Sequence, residues 1–204
     1  MGEKQPASGE VIAVTTTSFV AQSYQLNQAP AFGSLVIVPG PDGREHFGLC
    51  GGTETGGIEP GRHAMAWGSA DGADGDIYQR QPQLAHVLRT TFTCIQVGYR
   101  AEDGRVLQRV PPSPPRVHER VWVADTATVR GFFTSLSYLR FLLRSGADSV
   151  EDLMAASIGH AYRENGGDRA FLVSAGREVA RLLASEHDRL TAVLELLTAL
   201  EERR

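Results

Sequence analysis

The first quarter of the chain alternates short apolar runs with glycine and proline. Four such runs cover residues 9–14, 19–22, 33–38 and 46–49. Short β-branched runs bounded by turn signals are typical of β-strands. The Pro41-Asp42-Gly43 segment contains an Asp-Gly pair that suits a tight hairpin between residues 35–39 and 45–51. The pattern predicts a small β-barrel at the start of the chain.

The next segment carries weaker signals. Residues 51–75 are rich in glycine and show little periodicity, which predicts a long, mobile excursion. A short helix is expected over residues 77–88, and residues 90–99 return to strand. Residues 105–110 are expected to pair back with that strand across Glu102-Asp103-Gly104 and to complete the barrel. Alternation in the 90–99 strand predicts two faces, Phe92, Cys94 and Gln96 on one and Thr93, Ile95 and Val97 on the other.

A proline-rich segment, Pro111-Pro112-Ser113-Pro114-Pro115, can continue neither a helix nor a central strand. It predicts a stiff connector, with a proline-rich ligand for a partner's aromatic groove as the alternative. The predicted domains are therefore a barrel with its glycine-rich loop at residues 1–116 and an α-helical domain at residues 117–204. The fold class is α+β, with an N-terminal small β-barrel followed by a C-terminal α-helical bundle.

The helical domain begins with a short strand at residues 117–123, after which the apolar spacing becomes helical. Asp125 is the expected N-cap of one helix that ends at Gly146. Ser149 with Asp152 resembles a capping box that opens a second helix, and Asp168 starts a third. The last apolar stripe predicts core packing in the bundle or, alternatively, a seam for self-association. Its members are Leu190, Val193, Leu197 and Leu200.

Composition narrows the classes of function. A net charge of -4 disfavours a dedicated duplex-binding protein, since phosphate neutralisation needs a concentrated basic surface. Cys50 and Cys94 lie in predicted strands and are expected to be buried thiols of a reducing compartment rather than a disulfide. We find neither an apolar run long enough for a membrane span nor a signal-peptide pattern, which predicts a cytoplasmic protein without a membrane partner.

The motifs of common enzymes are missing from the sequence. It contains no Walker A loop, no Gly-x-Ser-x-Gly elbow and no cluster with metal-ligand spacing. We therefore expect no enzymatic activity, no cofactor and no metal. An unrecognised enzyme would have to use the polar residues of the glycine-rich loop, Glu54, His63 and Asp76. The six histidines have no neighbouring carboxylate at a spacing that dictates a dyad.

The order of these strand patterns resembles the HerA–ATP synthase (HAS) barrel family, found in HerA-type DNA translocases and rotary ATP synthase subunits. The resemblance rests on residues 9–11, 19–21, 32–38 and 47–49 and extends over nearly the whole chain to uncharacterised stand-alone members. The matching later segments are Gln81-Pro82-Gln83, the strand of Tyr99, the connector at 111–118, and the helix containing Asp168-Arg169 and Ala175-Gly176-Arg177.

In the ring ATPases of this family, the resemblance implies a crown of barrels that pack side by side around a hexamer. The present chain has helices where those proteins have their ATPase domain, so ATP hydrolysis and translocation are not expected. The leading hypothesis is a non-enzymatic adaptor or assembly protein. Its barrel is expected to associate with itself or with the barrel of a HerA-like ring ATPase.

The residues expected to make such contacts are Phe32, Leu49, Arg109 and Arg116. The alternative hypothesis is an accessory nucleic-acid-binding protein in DNA processing that uses the arginines near the connector. Those arginines are Arg100, Arg105, Arg109, Arg116 and Arg120. A mixed, solvated face is the simpler interpretation of this group, because Glu102, Asp103 and Glu119 lie between them.

Overall fold

The fold was taken from a computed structural model, which describes residues 6–40, 43–59, 82–147 and 149–202. Within these ranges, seven strands form one antiparallel sheet. They are β1 (Gly9–Val14), β2 (Ser18–Ser23), β3 (Leu35–Pro39), β4 (Glu45–Gly57), β5 (Leu88–Arg100), β6 (Val106–Leu107) and β7 (Arg120–Val123). A single helical turn, α1 (Leu84–Val87), precedes β5.

Six of these strands close into a barrel. Around the barrel their order is β2, β1, β7, β3, β4 and β5, and β5 closes the circle by pairing with β2. β6 pairs with the end of β5, at Tyr99 and Arg100. The predicted α+β class is confirmed in its coarse form, a β-barrel accompanied by helices.

The predicted hairpin is confirmed, since β3 pairs with β4 from Leu35↔Leu49 to Pro39↔Glu45. The expected excursion is wrong over residues 51–57, because these residues continue β4 and pair with β5 as far as Gly57↔Leu88. Residues 60–75 of that prediction, and 77–81 of the predicted helix, lie outside the described residues. The strand predicted at 90–99 is confirmed within the longer β5.

β7 lies beyond the predicted domain boundary at residue 116. It pairs with β1 at Gly9↔Val121 and with β3 at Val36↔Val123. The chain therefore returns to the barrel after the proline-rich connector, and β7 is the strand that joins β1 to β3.

Both faces of the central strands are buried, in two separate hydrophobic clusters. Val36 and Val38 point into the barrel with Phe92 and Cys94, whereas Leu35 points outward to the helices. Period-two alternation places neighbouring residues in different clusters, as predicted for the two faces of β5. The outward cluster also contains Phe47, Leu49, Ile95 and Val97 of the barrel.

The remaining described helices follow β7. They are α2 (Thr126–Phe132), α3 (Leu139–Leu142), α4 (Val150–Glu164), α5 (Arg169–Leu182) and α6 (His187–Glu202). Helices α4, α5 and α6 pack on one another, and α3 and α4 pack near the barrel. Asp125 and Asp168 cap α2 and α5 as predicted, with side-chain oxygens accepting from Thr128 N–H and Ala170 N–H.

Two helix predictions are wrong. The helix expected from Asp125 to Gly146 is interrupted between Phe132 and Leu139. Ser149 lies in the left-handed region (φ 53°) and its side chain makes no capping hydrogen bond. Among the described helices, none is both long enough and apolar enough to cross a bilayer.

Candidate functional site

The outer edge of β4 is the strongest candidate for a functional surface. β4 runs eight residues past its last ladder partner in β3, the pair Leu35↔Leu49. Ser34 and Gly33 extend that contact only as far as Cys50, through Cys50 N–H to Ser34 O (3.1 Å) and Gly33 N–H to Cys50 O (2.8 Å). Within the described ranges, no strand pairs with the outer side of residues 52–57.

The direction of the backbone groups along this edge follows from one hydrogen bond. Ile58 N–H donates to Val87 O at 3.0 Å, so the backbone groups of residue 58 point toward the β5 side. Backbone polar groups alternate along a strand, so those of Glu54 and Gly56 also face β5. Thr53, Thr55 and Gly57 therefore direct their N–H and C=O groups away from β5, along the open edge.

Small side chains keep this edge accessible. Its sequence, residues 51–57, is Gly-Gly-Thr-Glu-Thr-Gly-Gly. A Cβ atom added at Gly52 would meet nothing within 4 Å, and one at Gly56 would meet only a Glu54 oxygen at 3.8 Å. Residues 53–55 are exposed. An open, accessible edge is a template for another strand unless charge, proline or a covering element blocks it.

The ribbon that bears this edge is anchored to the barrel on its other side. The hydroxyl oxygens of Thr55 and Thr90 are 2.8 Å apart, and Asn27 N–H donates to the Thr90 hydroxyl at 2.7 Å. Asn27 belongs to the connection between β2 and β3 and has a positive φ of 61°. The contact ties β4, β5 and this connection together near the open edge.

Two apolar side chains lie at the outer end of the same ribbon. Ile58 is 43% exposed and Val87 is 54% exposed, and the Ile58 N–H hydrogen bond to Val87 O holds them side by side. Exposed neighbouring apolar side chains at a strand edge favour association, because a partner strand can cover them.

The four predicted contact residues are not brought together. Phe32 is 43% exposed in the β2–β3 connection, as a contact residue should be. Leu49 is completely buried in the cluster between barrel and helices, so the prediction that it contacts a partner is wrong. The sequence alone does not show which apolar residues of β4 face solvent and which face the helices. The packing of the helices shows that Leu49 is internal.

The Arg109 side chain contacts the Tyr99 side chain. Its Nη2 donates to the Tyr99 hydroxyl at 3.0 Å, and its guanidinium carbon is 5.8 Å from the ring centroid. The Arg44 guanidinium carbon lies 6.0 Å from the same centroid. Nearby, Arg100 Nε donates to Glu45 Oε2 at 2.8 Å. These cations are engaged in cation–π contacts and ion pairs with the barrel's own side chains.

Arg116 is exposed in the segment leading to β7, and Arg120 lies in β7 opposite Glu10. Strand order places β7 and β5 on opposite sides of the barrel, separated by β3 and β4 one way and by β1 and β2 the other.

Sequence reasoning missed a histidine–carboxylate pair. His118 Nδ1 lies 2.6 Å from Glu10 Oε1, and the Tyr24 hydroxyl donates to Glu10 Oε2 at 3.2 Å. The hydrogen bond from His118 is the main cause that lowers the pKa of Glu10. His118 adopts a positive φ of 72°, and its side chain is 80% exposed. The residues are 108 positions apart, so no local spacing reveals the pair.

Of the three residues that an unrecognised enzyme was expected to use, the structure describes Glu54. Glu54 lies on the open edge of β4, exposed to solvent. His63 and Asp76 lie outside the described residues. Across the described part of the chain, no group of three or more His, Cys, Asp or Glu side chains is arranged to hold a metal ion.

No protein-family model matches this chain, and the search of curated proteins finds no match.

Proposed function

We propose that this protein is an assembly protein whose barrel associates with a second copy by antiparallel pairing of the β4 edges. The supporting observation is the row of outward-facing backbone groups at Thr53, Thr55 and Gly57, which no described strand satisfies. A partner strand would supply acceptors and donors for all three residues.

A second copy fits this edge with one preferred register. A two-fold axis through Thr55 pairs Thr55 with Thr55 of the second copy and Thr53 with Gly57 of the second copy. All three outward-facing residues then form hydrogen-bonded pairs. Glu54 lies opposite Gly56, so no like charges face each other.

The neighbouring register is less favourable. An axis through Glu54 pairs Thr53 with Thr55 of the second copy. In that register Gly57 does not lie opposite any of the three outward-facing residues of the second copy. This register also sets the two Glu54 carboxylates directly opposite each other, which is destabilising in a sheet. We therefore assign the axis to Thr55.

The contact is expected to be modest in area, because it joins two short edges and the exposed Ile58 and Val87 side chains. Small interfaces are generally weak and transient. Self-association should therefore depend strongly on protein concentration.

The resemblance to HAS barrels extends the proposal to a second occupant. The same edge would accept a strand from the barrel of a HerA-like ring ATPase, and the chain would act there as an adaptor. In this proposal the helices, expected from sequence to form a bundle, support the barrel face that contains β3, β4 and β5. Enzymatic activity and a cofactor have no part in it.

Sedimentation velocity over a wide range of protein concentration tests the proposal. Wild type should shift reversibly from monomer to dimer. Thr55→Pro should remain monomeric, since proline removes the outward N–H and leaves the ladder with β5 intact. Thr55→Val is the matched control, because it removes the same hydroxyl but keeps the N–H, and it should still dimerise.

Cysteine cross-linking tests the register. Thr55→Cys should form a covalent dimer under mild oxidation, since opposed residues at a hydrogen-bonded pair have Cα atoms about 5.5 Å apart, within disulfide range. Thr53→Cys, whose expected neighbour is Gly57, should not. A wild type that stays monomeric at every concentration, or dimers equally frequent in both variants, would refute self-association through this edge.

Nucleic-acid binding remains a separate prediction. It would appear as binding to single- or double-stranded DNA that weakens steeply with salt.

A further inference from the structure

Cys50 and Cys94 are directly opposed residues of β4 and β5. Both side chains are completely buried in the cluster inside the barrel, and both are free thiols. A pair of thiols at one cross-strand position has chemistry that a single buried cysteine lacks. Because the two thiols belong to the same barrel, that chemistry is independent of self-association.

The backbone shows which kind of cross-strand pair this is. The N–H and C=O of Cys50 are used by Ser34 and Gly33, on the side away from β5. On β5, Gln96 N–H donates to Thr17 O at 2.8 Å, so its backbone groups face β2. Alternation gives Cys94 the same direction, away from β4. Cys50 and Cys94 therefore form a non-hydrogen-bonded pair.

That register is suited to a disulfide. In a non-hydrogen-bonded antiparallel pair the Cα atoms are about 4.5 Å apart and the side chains are at their closest. Disulfides span Cα separations of about 4.4–6.8 Å. The bond can therefore form without moving the strands apart.

The two thiols differ in their chemistry. The hydrogen bond with Cys94 is the main cause that lowers the pKa of Cys50, assisted by the Gly52 backbone and the Thr53 side chain. Burial raises the pKa of Cys94. The thiolate is the reactive form, so these opposite pKa shifts favour Cys50 as the attacking sulfur and Cys94 as the resolving one. The Cys50 side chain is completely buried, and its Sγ donates to Pro30 O at 3.3 Å in the connection between β2 and β3.

We propose that Cys50 and Cys94 are a reversible dithiol–disulfide pair that reacts with a hydroperoxide. The Cys50 thiolate attacks the terminal peroxide oxygen, the O–O bond breaks, and an alcohol or water leaves after taking up a proton. Cys50 is then a sulfenic acid. The Cys94 sulfur attacks the Cys50 sulfur, the S–O bond breaks, and water leaves with the Cys94 proton. Two thiols are oxidised and one peroxide is reduced.

The test exposes folded wild-type protein to hydrogen peroxide, quenches it, and alkylates it after unfolding. Mass spectrometry should show an intramolecular disulfide, a loss of two hydrogen atoms with loss of both alkylation sites. Dithiothreitol should restore both thiols. Circular dichroism before quenching verifies that the protein remained folded.

Two variants separate the roles of the sulfurs. Cys94→Ser should stop at a Cys50 sulfenic acid that dimedone traps. Cys50→Ser should leave Cys94 unmodified at the same dose. The wild-type measurement stands even if a variant fails to fold. Two free thiols after peroxide treatment, a disulfide that forms only in denaturant, or an intermolecular disulfide alone would each overturn the proposal.

Discussion

The hydroxyl groups of Tyr138 and Ser157 lie 2.9 Å apart, and both side chains are completely buried. Ser157 also donates to Met154 O at 2.9 Å. Because a serine hydroxyl has one proton, Tyr138 is the donor in the bond between the two. The bond fastens the segment before α3 to the middle of α4.

Because Tyr138 is the donor, removing the Tyr138 hydroxyl and removing the Ser157 hydroxyl should lower the free energy of unfolding by different amounts. Tyr138→Phe leaves Ser157 bonded to Met154 O and should lower the free energy of unfolding by about 0.5–1.5 kcal/mol. Ser157→Ala leaves a buried tyrosine donor without its acceptor and should cost about 1–3 kcal/mol. Urea unfolding of both variants measures the difference, and an equal or reversed order would contradict the assigned direction.

Gln108 is expected to stabilise the non-helical segment between α2 and α3. Its Nε2 donates to Phe132 O (2.8 Å) and Ser135 O (2.7 Å), and its Oε1 accepts from Tyr138 N–H (2.9 Å). Gln108→Ala should lower the free energy of unfolding by about 1–3 kcal/mol, since these backbone groups lose their partner. The same substitution at exposed Gln25 is the control. A cost no larger than that control would show that water replaces Gln108.

Gly98 is expected to tolerate no side chain. A Cβ atom there would lie 2.6 Å from Leu107 O and 3.2 Å from Phe132 Cε2, because β6 and α2 pack directly on β5. Gly98→Ala should lower the free energy of unfolding by about 1–3 kcal/mol.

A Cβ atom added at Gly131, inside α2, would meet nothing within 4 Å. Gly131→Ala should therefore raise stability by about 0.5–1 kcal/mol through helix propensity. Thermal or urea unfolding gives both values, and similar effects of the two changes would contradict this packing.

The pKa of Glu10 should report the contact between β1 and the segment before β7. His118→Ala should raise it toward the ordinary carboxyl value, because the hydrogen bond from His118 is the main cause of its depression. Tyr24→Phe should raise it less, since the tyrosine hydrogen bond is a smaller cause. A carboxyl pKa lowered in the folded state contributes stability above its unfolded value, and that contribution is lost as pH falls through the lowered pKa. Carboxyl-detected NMR titration measures each pKa, and an unchanged value in His118→Ala would refute the contact.

Local sequence determined the secondary structure where turns and caps are decided by neighbouring residues. The Asp42-Gly43 pair predicted the β3–β4 hairpin, and Asp125 and Asp168 predicted two helix starts, because these side chains act within a few residues. Period-two alternation likewise predicted the faces of β5.

Tertiary structure decided everything that depends on distant partners. The closure of β2 on β5 and the insertion of β7 between β1 and β3 join segments far apart in the chain, and local pattern does not specify such pairings. The helix predicted after Asp125 is interrupted where Gln108, more than twenty residues earlier, satisfies the freed backbone groups. Residues 52–57 looked like a loop because glycine disfavours strands, yet pairing with β5 overrides that weak preference. The open edge exists because β4 extends past β3 in the folded barrel, and the cysteines are opposed because β4 pairs with β5.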